Sequence, residues 1–261
     1  MNIIVCIKQV PDTTVVKIDP VKGTLIREGV PSIMNPDDKG GLELALRLKD
    51  QFGAHVTVIS MGPPQADVML REAYAMGADR AILLSDRKFA GADTLATSYA
   101  LSGLCRVLDY DLIIAGRQAI DGDTAQVGPE IAEWLGVPQV TYGLEIEATE
   151  DGFKVRKEAE DGVQIIGVKT PCLITFTKPS FDPRYPTIKR KLMANKAKFE
   201  TLGDDFDPTM DASHYGLNGS PTHVKKSFTP PVKSGGMKIK EETGEESAKK
   251  LAKILVDANI V

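Results

Sequence analysis

The chain has 261 residues, of which 42% are hydrophobic and 26% charged, and it carries a net charge of −4. Such a length suits one α/β domain with appendages, and the composition is that of a folded globular protein, not a disordered one. The small negative charge excludes a global field that would attract nucleic acid or an anionic membrane.

Residues 2–8 form a short apolar run rich in Ile and Val, the pattern of a buried parallel strand. The run has no basic leader or small-residue cleavage site, and no later apolar stretch approaches the roughly 20 residues of a membrane span, so a cytoplasmic protein is expected. Residues 15–18 and 24–26 flank a Pro- and Gly-containing turn and predict a hairpin. Leu42, Ala45 and Leu46 then mark a helix by their i, i+3, i+4 spacing. Further strand-like runs follow at 54–60, 81–84 and 111–115 with helical patterns between them, which predicts a parallel sheet covered by helices on both faces. From 139 to 177 the pattern changes to four β segments with turns at 150–152 and 161–162, a small antiparallel section whose last segment can rejoin the sheet. Residues 198–236 are polar and without periodicity, which is unusual inside a compact domain. A helix pattern returns through Ala248, Leu251, Ala252, Ile254 and Leu255. The unpatterned stretch and this helix read either as an arm for another subunit's surface or as a loosely attached tail.

Cys6, Cys105 and Cys172 are widely spaced within apolar segments, which fits small buried hydrophobes and argues against a disulfide framework or a metal site. His55, His214 and His223 are scattered and suggest no general acid or base.

The densest site signal is residues 111–130. A buried strand ends at Ala115, a loop with Gly116 and Gly122 follows, and Asp123 or Thr124 is placed to cap the next helix. Ligands of open α/β sheets bind at the carboxyl ends of strands, where helix N-termini offer unpaired N–H groups. Arg117 is suited to phosphate charge, Gln118, Thr124 and Gln126 add neutral donors, and Asp121 is a candidate for a ribose hydroxyl. Read from the residues alone, this is either a nucleotide loop or an ordinary strand–loop–helix connection; it is neither a Walker loop nor a GxGxxG fingerprint.

The string from Ala115 to Glu130 resembles the signature of electron transfer flavoprotein β subunits. Four other blocks agree in order: residues 6–12, 34–38, 61–63 with 75–80, and 182–185. The resemblance implies an adenine-nucleotide-binding, Rossmann-like α/β fold over residues 1–198, with an arm and terminal helix over 199–261 that wraps a larger flavin-carrying α subunit. Nucleotide binding would fall on Cys6, Asn35, Pro36, Asp37, Asp38 and Met61, and on Gly116, Arg117, Gln118, Ala119, Ile120, Asp121, Gly122, Asp123, Thr124, Ala125, Gln126 and Val127. Thr94, opening a helix after residues 91–93, can add a hydroxyl to a diphosphate or simply belong to the helix start.

Arg117, the 122–129 sequence and residues 216–222 are similar to electron-bifurcating members, which carry FAD where others carry a structural AMP. On that reading electrons from NADH enter at this subunit's FAD and leave by two routes, towards the α-subunit FAD and an acyl-CoA dehydrogenase, and towards ferredoxin or flavodoxin. The basic stretch 183–198 would present Arg184, Tyr185, Ile188, Lys189 and Arg190 to the dehydrogenase, or else is a solvated face. A competing expectation is a stand-alone nucleotide-binding protein of the stress-protein type, which would need no redox partner. An adenylate-transfer enzyme would need a pyrophosphate motif after the first strand, and residues 6–11 provide none.

Overall fold

A computed structural model describes residues 1–12, 17–18, 25–26, 31–177, 181–223, 225 and 235–261. In chain order its strands and helices are β1 (Asn2–Cys6), β2 (Gln9–Pro11), β3 (Lys17–Ile18), β4 (Leu25–Ile26), β5 (Ser32–Met34), α1 (Pro36–Phe52), β6 (His55–Met61), α2 (Asp67–Met76), β7 (Arg80–Leu84) and α3 (Thr94–Arg106). They continue as β8 (Leu112–Gly116), α4 (Val127–Leu135), β9 (Gln139–Ala148), β10 (Gly152–Ala159), β11 (Gly162–Lys169), β12 (Cys172–Phe176), α5 (Ile188–Lys196), β13 (Glu200–Leu202) and α6 (Gly244–Asp257).

One sheet runs β11-β10-β9-β12-β8-β1-β6-β7-β13. From β9 to β13 every pairing is parallel, while β10 and β11 extend the β9 edge as an antiparallel meander. The expected α/β architecture and its small antiparallel section are both present, and the segment from Cys172 does rejoin the parallel sheet between β8 and β9. The hairpin expected near residues 15–26 appears as the antiparallel pairing of β3 with β4, and its turn lies outside the described residues.

Side-chain alternation explains the layering. Ile3 and Val5 of β1, Val56 and Val58 of β6, and Leu112 and Ile114 of β8 face one way, into a core shared with α1 and α2. Ile4 and Cys6, Ile59, and Ile113 and Ala115 face the other way, against α3 and α4. Both faces of the central strands are therefore buried, which is why they read as unbroken apolar runs. Pro36 starts α1 with a preset φ, and Gly53 ends it at φ 68°, donating its N–H to the Lys49 carbonyl. Gly41 lets this helix lie directly on β8, because a Cβ there would sit 2.8 Å from Ile114 Cγ2.

The compact unit runs from Met1 to Lys225, past the boundary expected at residue 198. After α5 the chain adds β13 beside β7 and then lies along α3. Tyr215 is buried between Phe89 and Tyr99, and Asp93 Oδ2 accepts from the N–H and hydroxyl of Thr222. Such anchorage uses isolated aromatic and small polar residues, so it leaves no periodic trace in the sequence. A second unit, Lys226–Val261, contains α6. This helix opens with a capping box between Thr243 and Glu246 and buries none of its residues.

Candidate nucleotide site at the sheet switch point

From β1 the chain moves outward through α1 to β6 and through α2 to β7, then returns through α3 to β8 on the other side of β1. The connections thus diverge between the carboxyl ends of β1 and β8, the place where open α/β sheets bind ligands. Cys6 ends β1, Met61 ends β6 and Gly116 ends β8, so three of the expected site positions lie on neighbouring strand ends. A cleft of about 280 Å³ adjoins them on the β6 side, lined by Lys8, Pro11, Ser60, Met61, Gly62 and Gln65 among others.

The start of α1 is stitched into this edge. Asn35 is fully buried; its Nδ2 donates to the Gln118 carbonyl at 2.8 Å and to Asp38 Oδ1 at 3.0 Å, and its Oδ1 accepts from Ile120 N at 3.1 Å. Asp38 also accepts from Lys8 N at 2.7 Å and from Gly116 N at 3.1 Å. Burial pushes the Asp38 carboxyl up to about 7 against the pull of these donors. Pro36 occupies the first helical position beside them.

Beyond Gly116 the loop closes a tight turn at Ala119, whose carbonyl accepts from Gly122 N and Asp123 N. Asp123 and Ala125 both adopt left-handed φ, 52° and 54°. Two such residues within three positions store strain of about 1–3 kcal/mol each, a cost that clusters at ligand sites. The expected capping of the next helix by Asp123 or Thr124 is corrected here. Helix α4 begins later, at Val127, and its N-cap is Gln126, which makes no side-chain cap. Asp123 instead accepts from Gln118 Nε2 at 2.9 Å. Asp121, considered for a ribose, pairs with Lys8 Nζ at 2.7 Å. Gly128 brings this helix end close to the sheet, since a Cβ there would sit 2.5 Å from Thr175 Cγ2.

The loop carboxylates thus have partners within the protein, Lys8 for Asp121 and Gln118 for Asp123. Asp37 lies 3.6 Å from Arg117 Nε, and burial raises its carboxyl while Arg117 and a backbone N–H from Gln118 pull the other way. Arg117 Nε itself is buried without a hydrogen-bond acceptor. The Arg117 side chain is otherwise 35% exposed, and its loose pairing with Asp37 leaves guanidinium donors for a phosphate group. Thr124 and Gln126 are exposed on the same loop.

Thr94 opens α3, whose N-cap is Asp93, and its hydroxyl donates to Glu130 Oε1 at 3.1 Å in the first turn of α4. Glu130 Oε2 is buried without a partner, and burial raises this carboxyl. Lys8 and Glu130 are the polar groups that sequence reasoning passed over. Lys8 is the last residue of the 2–8 run read as a strand, and a cation at the end of a buried strand was a usable signal. All three thiols are free and buried; burial pushes Cys105 and Cys172 up to about 12, and Cys6 rises in the same direction. Cys6 is therefore a neutral, apolar neighbour of the site. Among the described residues no His, Cys, Asp and Glu cluster could hold a metal ion, and no helix is long and apolar enough to cross a membrane.

The five residues expected to face a partner divide into two kinds. Arg184 binds Glu43 and Asp50 on α1, and Arg190 reaches the Tyr74 and Ala78 carbonyls at the end of α2, so both guanidinium groups hold α5 and its approach to the body of the protein. Tyr185 and Ile188 are 90% and 81% exposed. With Lys189, Leu192, Met193 and Lys196 they form an apolar surface rimmed by cations. The stretch is a helix because Thr187 caps it, its hydroxyl accepting from Arg190 N at 3.2 Å.

A family model described as "Electron transfer flavoprotein domain" matches residues 22–205. The chain is 58% identical over 255 residues to "Electron transfer flavoprotein subunit beta" of Clostridium acetobutylicum, covering 97% of this chain and 98% of that one. It is 51% identical over 263 residues to "Caffeyl-CoA reductase-Etf complex subunit CarD" of Acetobacterium woodii, and 46% identical over 272 residues to "Acryloyl-CoA reductase electron transfer subunit gamma" of Anaerotignum propionicum, each covered in full with this chain.

Proposed function

The chain belongs to the electron transfer flavoprotein family on its β-subunit branch, and from that premise we propose that it binds FAD at the β1/β8 switch point and works in a heterodimer with an α subunit. The observation that carries the reading is the partly exposed guanidinium of Arg117, held only loosely by Asp37 at 3.6 Å, on a loop that carries two left-handed residues. Arg117, the loop amides and the Thr124 and Gln126 side chains would hold the phosphates, with Cys6 and Met61 as apolar neighbours. When bound, the flavin would supply the redox chemistry, accepting two-electron and releasing one-electron equivalents. This chain's own work is to grip the phosphates, to place the cofactor at the sheet edge and to present docking surfaces.

The two electron routes are an acyl-CoA dehydrogenase-type partner and a ferredoxin or flavodoxin. Relatives named for caffeyl-CoA reductase and acryloyl-CoA reductase support the first. The surface around Ile188 is its proposed docking point, because an exposed apolar patch with a charged rim is characteristic of interaction sites. The α subunit would be held in part by α6, whose Leu251 and Val256 are exposed. The protein is expected to act in the cytoplasm.

Cofactor content of the purified heterodimer tests the proposal. Two FAD per complex is the expected result. One FAD with one AMP would keep the family assignment and remove NADH oxidation and divided electron flow from this subunit.

A further inference from the structure

We propose that Asp38 is the positioning residue of the nucleotide loop: its carboxylate ties the end of β1 to the end of β8 and holds residues 116–120 in binding shape. The idea rests on the nucleotide reading above, and it gives Asp38 a scaffold role beyond the expected contact.

Three donors converge on this one group. Lys8 N donates to Oδ2 at 2.7 Å, while Gly116 N at 3.1 Å and Asn35 Nδ2 at 3.0 Å donate to Oδ1. An ionised carboxylate suits all three best, since its charge strengthens each bond, whereas an amide would turn an N–H of its own towards one of the donors. The fit is also steric. A Cβ on Gly116 would lie 2.1 Å from Asp38 Oδ1, so carboxylate and glycine occupy one another's only available space. Asn35 then passes the constraint into the loop through the Gln118 carbonyl and the Ile120 N–H. Asp38 is 7% exposed.

The charges on the packed elements leave the carboxylate without a counter-ion. Lys8 Nζ from the β1 loop is engaged by Asp121, and Arg117 from the β8 loop by Asp37. Asp37 on α1 and the buried Cys6 thiol on β1 are the other titratable neighbours, and Asp37 disfavours ionisation of Asp38. With burial as the main cause, the carboxyl titrates near 7. Below that pH the neutral acid is a weaker acceptor for the three N–H groups, so the ties on the loop weaken although the burial penalty of the charge is relieved.

The test uses the full-length αβ complex. Nucleotide release is followed between pH 8 and pH 6, together with hydrogen exchange of amides 116–122, corrected for intrinsic rates, in complex stripped of nucleotide. Wild type is expected to release nucleotide faster and to lose amide protection as pH falls. Asp38→Asn is expected to release it about tenfold faster or more, consistent with loss of a charged hydrogen bond, and to show a flat pH profile. Unchanged loop exchange in Asp38→Asn, or a flat wild-type exchange profile, overturns the proposal. The wild-type titration decides the matter if the variant does not fold. A wild-type complex that retains no nucleotide at any pH would defeat the functional reading instead, and the exchange comparison, which needs no ligand, would still judge Asp38.

Discussion

Arg184 grips Glu43 across 141 residues of sequence: its Nε lies 2.8 Å from Oε2, its Nη2 3.1 Å from Oε1, and its backbone N–H donates to Oε2 as well. Glu43 is almost fully buried on α1, and the burial that would raise its carboxyl is outweighed by hydrogen bonds from Arg184 and Arg47, so the net shift is downward. Arg184 is partly exposed, which places the loss on Arg184→Ala nearer to about 2–3 kcal/mol than to the full cost of an orphaned buried charge.

The pH dependence has a definite sign. Because the folded carboxyl sits below its unfolded value of 4.5, this pair's stabilisation is complete above that pH and is lost as pH falls through the folded value. In Arg184→Ala the burial remains without the partner, so the carboxyl should rise and protonation should then favour the folded state. The gap in urea midpoint between wild type and variant should widen as pH rises from 4 to 7, since Asp38 and the other raised carboxyls contribute equally to both proteins. Parallel slopes would rule out the pair as the source.

Gly116→Ala is a sharper probe of the site. The new methyl would meet the Asp38 carboxylate and, at 2.8 Å, the Asp38 backbone nitrogen, neither of which is the free end of a flexible chain. Overpacking of this kind costs about 1–3 kcal/mol, and here the displaced atoms shape the nucleotide loop. Gly167→Ala on β11, where a Cβ meets nothing, is the matched control. Thermal unfolding and nucleotide content should both fall for the first and neither for the second.

These residues also show what was legible beforehand. The ends of β1, β6 and β8 could be read from apolar runs, and their convergence follows from the parallel sheet that the strand and helix alternation implies. The antiparallel return was equally visible, in the turns at 150–152 and 161–162. What individual side chains do was not legible. Asp38 and Asn35 spend their hydrogen bonds on backbone groups up to 85 residues away, and Asp123 serves Gln118 instead of a helix start. Contacts of that range depend on how strands pack, which spacing along the chain does not encode. For the same reason residues 198–236 read as an arm or a loosely attached tail, since anchors such as Tyr215 on Phe89 and Tyr99, and Thr222 on Asp93, are single side chains.

Arg117 allows a test of the cofactor site by charge and shape. Arg117→Gln removes the charge and the guanidinium fork, and nucleotide affinity in the heterodimer should fall about 10- to 100-fold, the value of one or two charge-assisted hydrogen bonds. Arg117→Lys should restore part of the loss, because an ammonium keeps the charge but not the planar fork. Equal affinity in all three proteins, measured by titrating stripped complex with FAD, would take the phosphate role away from this residue.

The surface of α5 separates recognition from support. Ile188 projects into solvent between Lys189 and Leu192, whereas Arg190 turns inward, its Nη2 2.9 Å from the Tyr74 carbonyl and 3.1 Å from that of Ala78. An exposed aliphatic anchor contributes to a complex only when a partner covers it, so Ile188→Ala should leave folding and nucleotide content unchanged. Electron delivery to the dehydrogenase should slow by about tenfold, the effect of one anchor residue. Ile188→Glu should slow it further by placing an unpaired charge in the covered patch. Arg190→Met should behave differently: with two helix-end carbonyls left unsatisfied, α5 should loosen on α2, protease sensitivity around residues 183–198 should rise, and transfer should slow through loss of shape. Stopped-flow reduction of the dehydrogenase, paired with limited proteolysis, distinguishes the two. Unaltered transfer in Ile188→Glu would remove α5 from the docking surface, because no partner covering that patch could tolerate the charge.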